Sequence, residues 1–134
     1  MGEPPRAVTD EERRAIIRAA TDYIESWLDG DEERMRRCLH PRLAKRSVGV
    51  GPAGDDWPLD NIGAAEMVKA TGEGHGKKYQ RGHAITILDT YGEIATVKVT
   101  SVPYVDYLHI ARFGEAWLIV NVLWQRRTNH VPNR

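Results

Sequence analysis

The sequence predicts a single α+β domain in which helices come first and a meander of antiparallel strands follows. Apolar residues recur at helical spacing as far as about residue 71, and at strand spacing from about residue 84 onward. The segments of this second part are separated by only a few residues, which is enough to connect antiparallel strands but not parallel ones. A length of 134 residues fits one domain with its own hydrophobic core.

Two helices are predicted at the start, over residues 10–29 and 32–39. Thr9 begins the first, because the glutamate three residues later completes the spacing of a capping box. Gly30 ends that helix, because glycine readily adopts the left-handed conformation of a helix C-terminus. Pro41 ends the second, because proline disfavours helical backbone in the residue before it.

The middle of the chain is predicted to hold a short strand, a third helix and two loops. The strand covers residues 42–50, and the helix begins at a cap provided by Asp60 or Asn61 and ends near Thr71. The loops are residues 49–58 and 72–82. The second loop contains a Gly-Lys pair but lacks the spacing and the Ser or Thr of a phosphate-binding loop, so a mobile, solvated connection is the better interpretation.

Four strands complete the domain, each rich in β-branched and aromatic residues. They are predicted over residues 84–91, 94–102, 104–113 and 117–125. Residues 1–8 are predicted to form a flexible tail, 9–125 the single domain, and 126–134 a polar tail.

Composition argues against several classes of function. Nineteen Lys and Arg balance nineteen Asp and Glu, and a chain without excess positive charge is not expected to bind nucleic acid or an anionic membrane. A single cysteine, Cys38, rules out an internal disulfide and a Cys-rich zinc site, and the five histidines lack metal-ligand spacing. No apolar run is long enough to span a membrane, and the start lacks a signal peptide's apolar stretch. We therefore expect a cytoplasmic protein without a metal or cofactor.

The strand that begins at Tyr104 places one titratable group on each of its faces. Alternation puts Asp106 on the face of Tyr104, and His109 on the opposite face with Tyr107. Burial would shift the pKa of either group toward catalytic usefulness. The alternative is that each side chain is solvated or makes a structural hydrogen bond.

The last strand looks apolar on both faces, with one exception. Alternation predicts that Trp117 and Asn121 share one face, and that Trp124 lies on the other. Asn121 is then either a hydrogen-bonded core amide or a polar anchor in a cavity.

Four tryptophans against one phenylalanine suit either a pocket for a flat ligand or ordinary core packing. Trp57 is the exception, because its loop offers little core to join, and a lid or interface role is predicted for it. His40 is predicted at the end of the second helix, where the helix dipole favours a cation. That role competes with a catalytic one.

The chain resembles the nuclear transport factor 2-like superfamily over about residues 10–125. The resemblance is carried by Tyr23 and Trp27, by the segment YVDYLHIAR at 104–112, and by WLIVNVLW at 117–124. Within the superfamily, these segments are similar to the subgroup named Putative lumazine-binding.

The resemblance implies a cystatin-like cone, in which three N-terminal helices pack on a strongly curved antiparallel sheet and enclose a cavity. Related ketosteroid isomerases, dehydratases and cyclases perform acid–base chemistry without a metal or bound redox cofactor, while other relatives only bind ligands or partners. Ketosteroid isomerases carry a tyrosine donor on helix one, as Tyr23 is placed here. Their aspartate base lies on the first strand, where Leu43 to Val50 offers no carboxylate and His40 is the nearest titratable alternative.

Three functions remain open. The first is an acid–base enzyme of the isomerase, dehydratase or cyclase type that acts on a cyclic or aromatic compound. The second is a non-catalytic binding protein for a pteridine-, lumazine- or flavin-like ring, and the third is a structural dimer module. The catalytic candidates are His40, Asp106 and His109, and the ligand-binding candidates are Tyr23, Trp27, Trp57, Tyr104, Asn121 and Trp124. A homodimer is expected, because folds of this kind often pair through the open sheet.

Overall fold

The computed structural model describes residues 6–49, 54 and 56–127, which form three helices packed on one face of a six-stranded mixed sheet. The helices are α1 (Asp10–Asp29), α2 (Glu32–Cys38) and α3 (Ala64–Gly72). The strands are β1 (Leu39–Val48), β2 (Leu59–Ile62), β3 (His83–Tyr91), β4 (Ile94–Ser101), β5 (Tyr104–Phe113) and β6 (Ala116–Arg126). Their order across the sheet is β2-β1-β6-β5-β4-β3.

The predicted α+β class is confirmed, and β3 to β6 form the predicted antiparallel meander. The sheet is not antiparallel throughout, because β1 pairs with β6 in parallel. Short separators dictate antiparallel pairing only between consecutive strands. Strands β1 and β6 are separated by α3 and four other strands, so the chain between them is long enough for either direction.

Helix α1 begins and ends as its sequence predicts. The Thr9 hydroxyl accepts a hydrogen bond from the backbone N–H of Glu12, and the Glu12 carboxylate accepts one from the backbone N–H of Thr9. Gly30 has a φ of 72° and donates its N–H to the carbonyl of Ser26. Fixed at both ends, α1 turns Tyr23 toward the sheet, where the side chain is only 2% exposed.

The segment between α2 and α3 differs from the prediction. Strand β1 begins at Leu39, so His40 lies in a strand and not at the end of a helix. Asp60 and Asn61 lie in β2, an edge strand paired with β1, and do not cap α3. The cap is made instead by Glu66, whose carboxylate accepts a hydrogen bond from the backbone N–H of Gly63 at 3.1 Å.

Three predicted stretches lie partly outside the described residues. These are residues 1–5 of the predicted N-terminal tail, 50–53 and 55 of the first predicted loop, and 128–134 of the predicted C-terminal tail. Arg126, predicted to begin that polar tail, is the last residue of β6. No helix in the described part of the chain is long and apolar enough to cross a membrane.

The hydrophobic core lies between the three helices and the inner face of the sheet. Helices α1 and α2 are held together by Arg34, whose guanidinium lies 2.7 Å from a carboxylate oxygen of Asp22 and 2.7 Å from one of Glu25. These pairs are partly exposed, so we expect them to orient α2 more than to stabilise it.

Candidate functional site

A cavity of about 190 Å³ opens between α1, α3 and the inner face of the sheet. It is lined by Tyr23, Ile24, Trp27, Lys45, Asp60, Ile62, Met67, Ala70, Tyr104, Asp106 and Trp124. Sites for drug-sized ligands occupy roughly 300–1,000 Å³. The cavity therefore suits a smaller compound, and most of its wall is apolar or aromatic.

Three polar side chains form a continuous hydrogen-bonded chain on the wall of this cavity. The Lys45 ammonium donates to the hydroxyl of Tyr23 at 2.7 Å, and that hydroxyl donates to Oδ2 of Asp106 at 2.7 Å. They come from β1, α1 and β5, and their exposed fractions are 9%, 2% and 3% in that order. Three separate elements thus converge on one buried polar chain.

Burial disfavours the charged forms of Lys45 and Asp106, the two ends of this hydrogen-bonded chain. It lowers the pKa of Lys45 from 10.5 to about 8, although the negative charge of Asp106 opposes the change. Burial raises the pKa of Asp106, which the charge of Lys45 and the hydrogen bond from Tyr23 partly offset. The pKa of Tyr23 is raised by burial and then by the charge of Asp106. Moving one proton from Lys45 through Tyr23 to Asp106 would leave all three groups neutral.

Lys45 Nζ lies inside a cage of three aromatic rings. It is 5.1 Å from the ring centroid of Tyr23, 5.5 Å from that of Trp124 and 5.7 Å from that of Trp27. Its other contact is with the sulfur of Met67 at 3.4 Å. Aromatic faces stabilise a cation by about 2 kcal/mol when it is desolvated, so the cage offsets part of the penalty of burying the ammonium.

Two polar atoms of cavity-lining residues are buried without a hydrogen bond among the residues that the structure describes. They are the indole Nε1 of Trp27, a donor, and the Oδ1 of Asp106, an acceptor when the carboxyl is ionised. Leaving such an atom unpaired costs about 1–3 kcal/mol. Because neither atom exposes surface, a ligand could pair with either one only after the side chains around it shift.

The wall around Tyr104 is a cluster of aromatic rings that pack edge-to-face. Its ring meets Trp124 edge-on at a centroid distance of 5.0 Å and Tyr79 at 5.3 Å. The guanidinium of Arg126 lies over both tyrosine rings and donates to the hydroxyl of Tyr79 at 3.1 Å. Edge-to-face contacts of this kind fix ring orientation, so we expect this wall to be rigid.

The structure brings five of the nine sequence-predicted site residues to this cavity and leaves four outside it. Those inside are Tyr23, Trp27, Tyr104, Asp106 and Trp124. His109 is exposed on the opposite face of β5 from Asp106, where its Nδ1 lies 3.4 Å from Nδ2 of Asn121. His40 packs its ring on Phe113 at 4.7 Å, away from the cavity. Trp57 is 87% exposed and is not among the lining residues.

A β-bulge explains why Asn121 lies outside and Trp124 inside. His109 pairs with Asn121, but the next residue, Ile110, pairs with Ile119, so β6 has one extra residue at Val120. An extra residue reverses the alternation beyond it. The prediction that Asn121 shares the face of Trp117 is therefore wrong, and Trp124 turns toward the cavity.

Lys45 was missed by sequence reasoning. Its signal is the alternation of β1, in which Leu43, Lys45 and Ser47 are buried and the residues between them are more exposed. A lysine on the same face as a core leucine is a candidate for burial. The resemblance to ketosteroid isomerases directs attention to a carboxylate on this strand, and the amine that stands there instead is easily overlooked.

The comparisons agree with this architecture. The sequence model of the family described as Putative lumazine-binding matches residues 11–125. A nuclear transport factor 2-like protein of unknown function from Silicibacter pomeroyi is 17% identical with a TM-score of 0.74, covering 90% of this chain and 100% of its own. A ketosteroid isomerase-like protein from Erwinia carotovora atroseptica is 13% identical with a TM-score of 0.65, covering 90% and 99%.

A third solved structure, from Nostoc punctiforme, is described as a protein of unknown function with a cystatin-like fold. It is 11% identical with a TM-score of 0.64 and covers 92% of this chain and 97% of its own. A search of curated proteins finds no significant match. Identities this low establish the fold, and the sequence model establishes the family. The chain belongs to the Putative lumazine-binding family, and its fold is that of the nuclear transport factor 2-like proteins it resembles.

Proposed function

We propose that this protein is a cofactor-independent acid–base enzyme that acts on a small cyclic compound bound in the cavity. The observation that carries the proposal is the buried chain Lys45–Tyr23–Asp106, which lines an apolar cavity. Titratable groups with shifted pKa values that converge on a cleft are a mark of catalytic sites. Of the three catalytic candidates from the sequence, only Asp106 belongs to this group.

The three hydrogen-bonded side chains can supply a base and an acid together. When the proton of Lys45 has moved to Asp106, the Lys45 amine is a free base, and the Tyr23 hydroxyl no longer has to donate to a carboxylate. Lys45 would then remove a proton next to a carbonyl, while Tyr23 donates to the oxygen on which charge develops. A neutral carboxylic acid behind Tyr23 replaces the proton that Tyr23 gives up.

Hydrogen exchange on a small ketone tests this proposal. In D₂O, the protein should accelerate exchange of the α-hydrogens of cyclohexanone, followed by NMR. Lys45→Met should abolish the acceleration and Tyr23→Phe should reduce it about 100-fold or more. His109→Gln, on the outer face of the sheet, is the matched control and should leave the rate unchanged. Exchange that is no faster than in buffer, from a ketone shown to bind, would contradict the catalytic proposal.

A second candidate is a non-catalytic binding protein for a pteridine-like ring. Asp106 Oδ1 lacks a hydrogen-bond donor, and an N–H such as that of the imide edge of lumazine would supply one once the side chains around this buried oxygen shift. The family description names lumazine, and Trp27 and Trp124 offer aromatic surface to a flat ring. The volume admits a bare ring system better than one with a long side chain.

Tryptophan fluorescence distinguishes this candidate. A Trp57→Phe background removes the exposed indole, and lumazine should then quench the remaining emission in a saturable way. Asp106→Ala should weaken that binding, while Asp89→Ala on β3 should not. Denaturing mass spectrometry of the purified protein would also reveal a ring compound carried along from the cell.

We also propose that the protein is a homodimer paired through the outer face of the sheet. Large apolar side chains are exposed there, including Val48 at 51%, Tyr107 at 43% and Leu123 at 48%. Neighbouring exposed apolar side chains often mark an interface. Sedimentation at micromolar concentration should show a dimer, and Leu123→Asp should shift it toward monomer. A monomeric wild type would contradict this assembly.

A further inference from the structure

We propose that the amine of Lys45 is a nucleophile, and that it forms an imine with an aromatic aldehyde or ketone bound in the cavity. This inference rests on the proposed function in one respect, namely that a small cyclic compound enters the same cavity. It adds the chemical class of that compound and a covalent step. Four observations about Lys45 support it: its burial, its neighbours, its route for a proton and the rings around it.

The surroundings of Lys45 do not hold it as a permanent cation. Its amine contacts the Tyr23 hydroxyl at 2.7 Å and the Met67 sulfur at 3.4 Å, and both are neutral. Among the described residues, no carboxylate forms an ion pair with Lys45. A lysine in direct contact with a carboxylate would stay protonated, and a protonated amine cannot attack a carbonyl. Asp106 instead acts from the far side of Tyr23.

The hydrogen-bonded chain gives the Lys45 proton a place to go. It passes to Tyr23, which passes its own proton to Oδ2 of Asp106. No net charge is created in the cavity, because an ammonium and a carboxylate become an amine and a carboxylic acid. Burial favours this neutral arrangement at both ends, as the lowered pKa of Lys45 and the raised pKa of Asp106 indicate.

Imine formation then balances without an oxidant or reductant. The Nζ lone pair bonds to the carbonyl carbon, and the π electrons of the C=O bond move to oxygen. That oxygen takes two protons, one from the attacking nitrogen and one from Tyr23, which is reprotonated by Asp106. The C–O bond breaks, water leaves, and the nitrogen lone pair forms the C=N bond. The products are a protonated iminium on Lys45, water, and the Asp106 carboxylate.

The aromatic cage suits the product of this reaction, because the product is a cation. The iminium keeps its positive charge at the nitrogen of Lys45, which lies 5.1–5.7 Å from the centroids of Tyr23, Trp27 and Trp124. The same rings form much of the cavity wall, so an aromatic group on the carbonyl carbon would find stacking partners there. The Asp106 carboxylate formed in the last step balances the charge.

Reductive trapping tests the inference directly. The full-length protein is incubated with benzaldehyde and sodium cyanoborohydride near pH 8, and the modified residue is located by peptide mass spectrometry. We expect about one benzyl group per chain at limiting aldehyde, on Lys45. Lys69 is exposed on α3, on the side of the sheet away from the proposed dimer interface, which makes it the matched surface lysine. Lys69→Arg should keep the labelling, and Lys45→Arg should lose at least 90% of it.

The result on the wild type decides the question even where a variant fails to fold. Labelling spread over surface lysines, with Lys45 modified no faster than Lys69, would overturn the inference. Benzyl alcohol has the same ring but no carbonyl, so it should compete with the labelling of Lys45 and leave that of surface lysines unchanged. Tyr23→Phe should slow the labelling of Lys45 about tenfold or more, because the proton route is cut.

Benzyl alcohol also separates this inference from the proposed function. In the Trp57→Phe background, saturable quenching by benzyl alcohol reports that a small ring compound binds in the cavity. Quenching without a Lys45 adduct from benzaldehyde would refute the imine and leave the proposed function standing. A cavity that binds neither compound and gives no adduct would count against both.

Discussion

Gly76 lies directly against the indole of Trp27, so the glycine-rich loop forms the support for one wall of the cavity. A Cβ at position 76 would lie 2.3 Å from the backbone oxygen of Trp27 and 2.7 Å from its ring atoms Cδ1 and Cε2. Contacts below 3.0 Å essentially never occur for a Cβ. Glycine is therefore required at 76 by lack of space. The loop containing it was predicted to be solvated, but Gly76 itself is buried.

Gly76→Ala should displace Trp27, and both the stability of the protein and the affinity of the cavity for a ring compound should fall. Because the clash involves backbone, we expect a loss of about 1–3 kcal/mol in the free energy of unfolding, measured with urea. The emission of Trp27 should change, and affinity for a ring compound should fall. Gly63→Ala is the matched control, because a Cβ there meets no atom closer than 3.9 Å. Equal effects of the two substitutions would show that the contact with Trp27 is unimportant.

Burial of Lys45 should make stability rise with pH between about 8 and 10. The folded pKa is about 8 against 10.5 for an exposed lysine, so in this interval the unfolded chain binds more protons than the folded one. The gain relative to Lys45→Met should be about 2 kcal/mol, since one pKa unit corresponds to about 1.4 kcal/mol. The raised pKa of Tyr23 opposes the trend only above its ordinary value of 10.

Urea unfolding of wild type and Lys45→Met at several pH values from 7 to 10 measures this difference. Titrating groups away from Lys45 are common to both proteins and cancel in the subtraction. Repeating the comparison in an Asp106→Asn background removes the carboxyl whose pKa depends on Lys45. A difference that stays constant over the interval would mean that the pKa of Lys45 is not lowered. A difference that falls with rising pH would mean that it is raised.

Much of this architecture could be predicted from the sequence, because capping and alternation are local. The capping box of α1 and the meander of β3 to β6 follow from such signals, and so does the face of β5 on which Asp106 lies. The extra residue at Val120 could not be predicted in this way, because a bulge is a property of the pairing of two strands. It reverses the faces of Asn121 and Trp124, two of the ligand-binding candidates.

Lys45 shows a different limit of sequence reasoning. Its alternation with Leu43 was visible, but burial of a lysine is costly unless partners are in place. Those partners come from distant segments, with Tyr23 on α1 and Asp106 on β5. Long-range partners of this kind cannot be predicted from spacing, so the sequence did not single out Lys45.

Asp106→Asn should lower the pKa of Lys45 further below 8. The charge of Asp106 is the influence that raises the pKa of Lys45 against burial, and asparagine removes that charge while keeping the shape. The shift can be followed by NMR titration of the ¹³Cε of Lys45 or by the pH dependence of its reductive labelling. Asp60→Asn, at the exposed edge of the cavity, is the control and should leave the pKa unchanged. An unchanged or raised pKa in Asp106→Asn would show that the two groups are not coupled.

Tyr23→Phe should lower the stability of the protein and slow proton transfer, because the Tyr23 hydroxyl connects Lys45 with Asp106. Its loss leaves Lys45 Nζ without its hydroxyl acceptor and Asp106 Oδ2 without its donor, in a site that water does not freely enter. We expect the free energy of unfolding to fall by about 1–3 kcal/mol. Tyr91→Phe removes a hydroxyl from an exposed side chain at the end of β3 and should change the free energy of unfolding by less than about 0.5 kcal/mol. If the two variants unfold alike in urea, the hydrogen bonds between Lys45, Tyr23 and Asp106 do not stabilise the fold. Their remaining role must then be judged from the exchange and labelling rates alone.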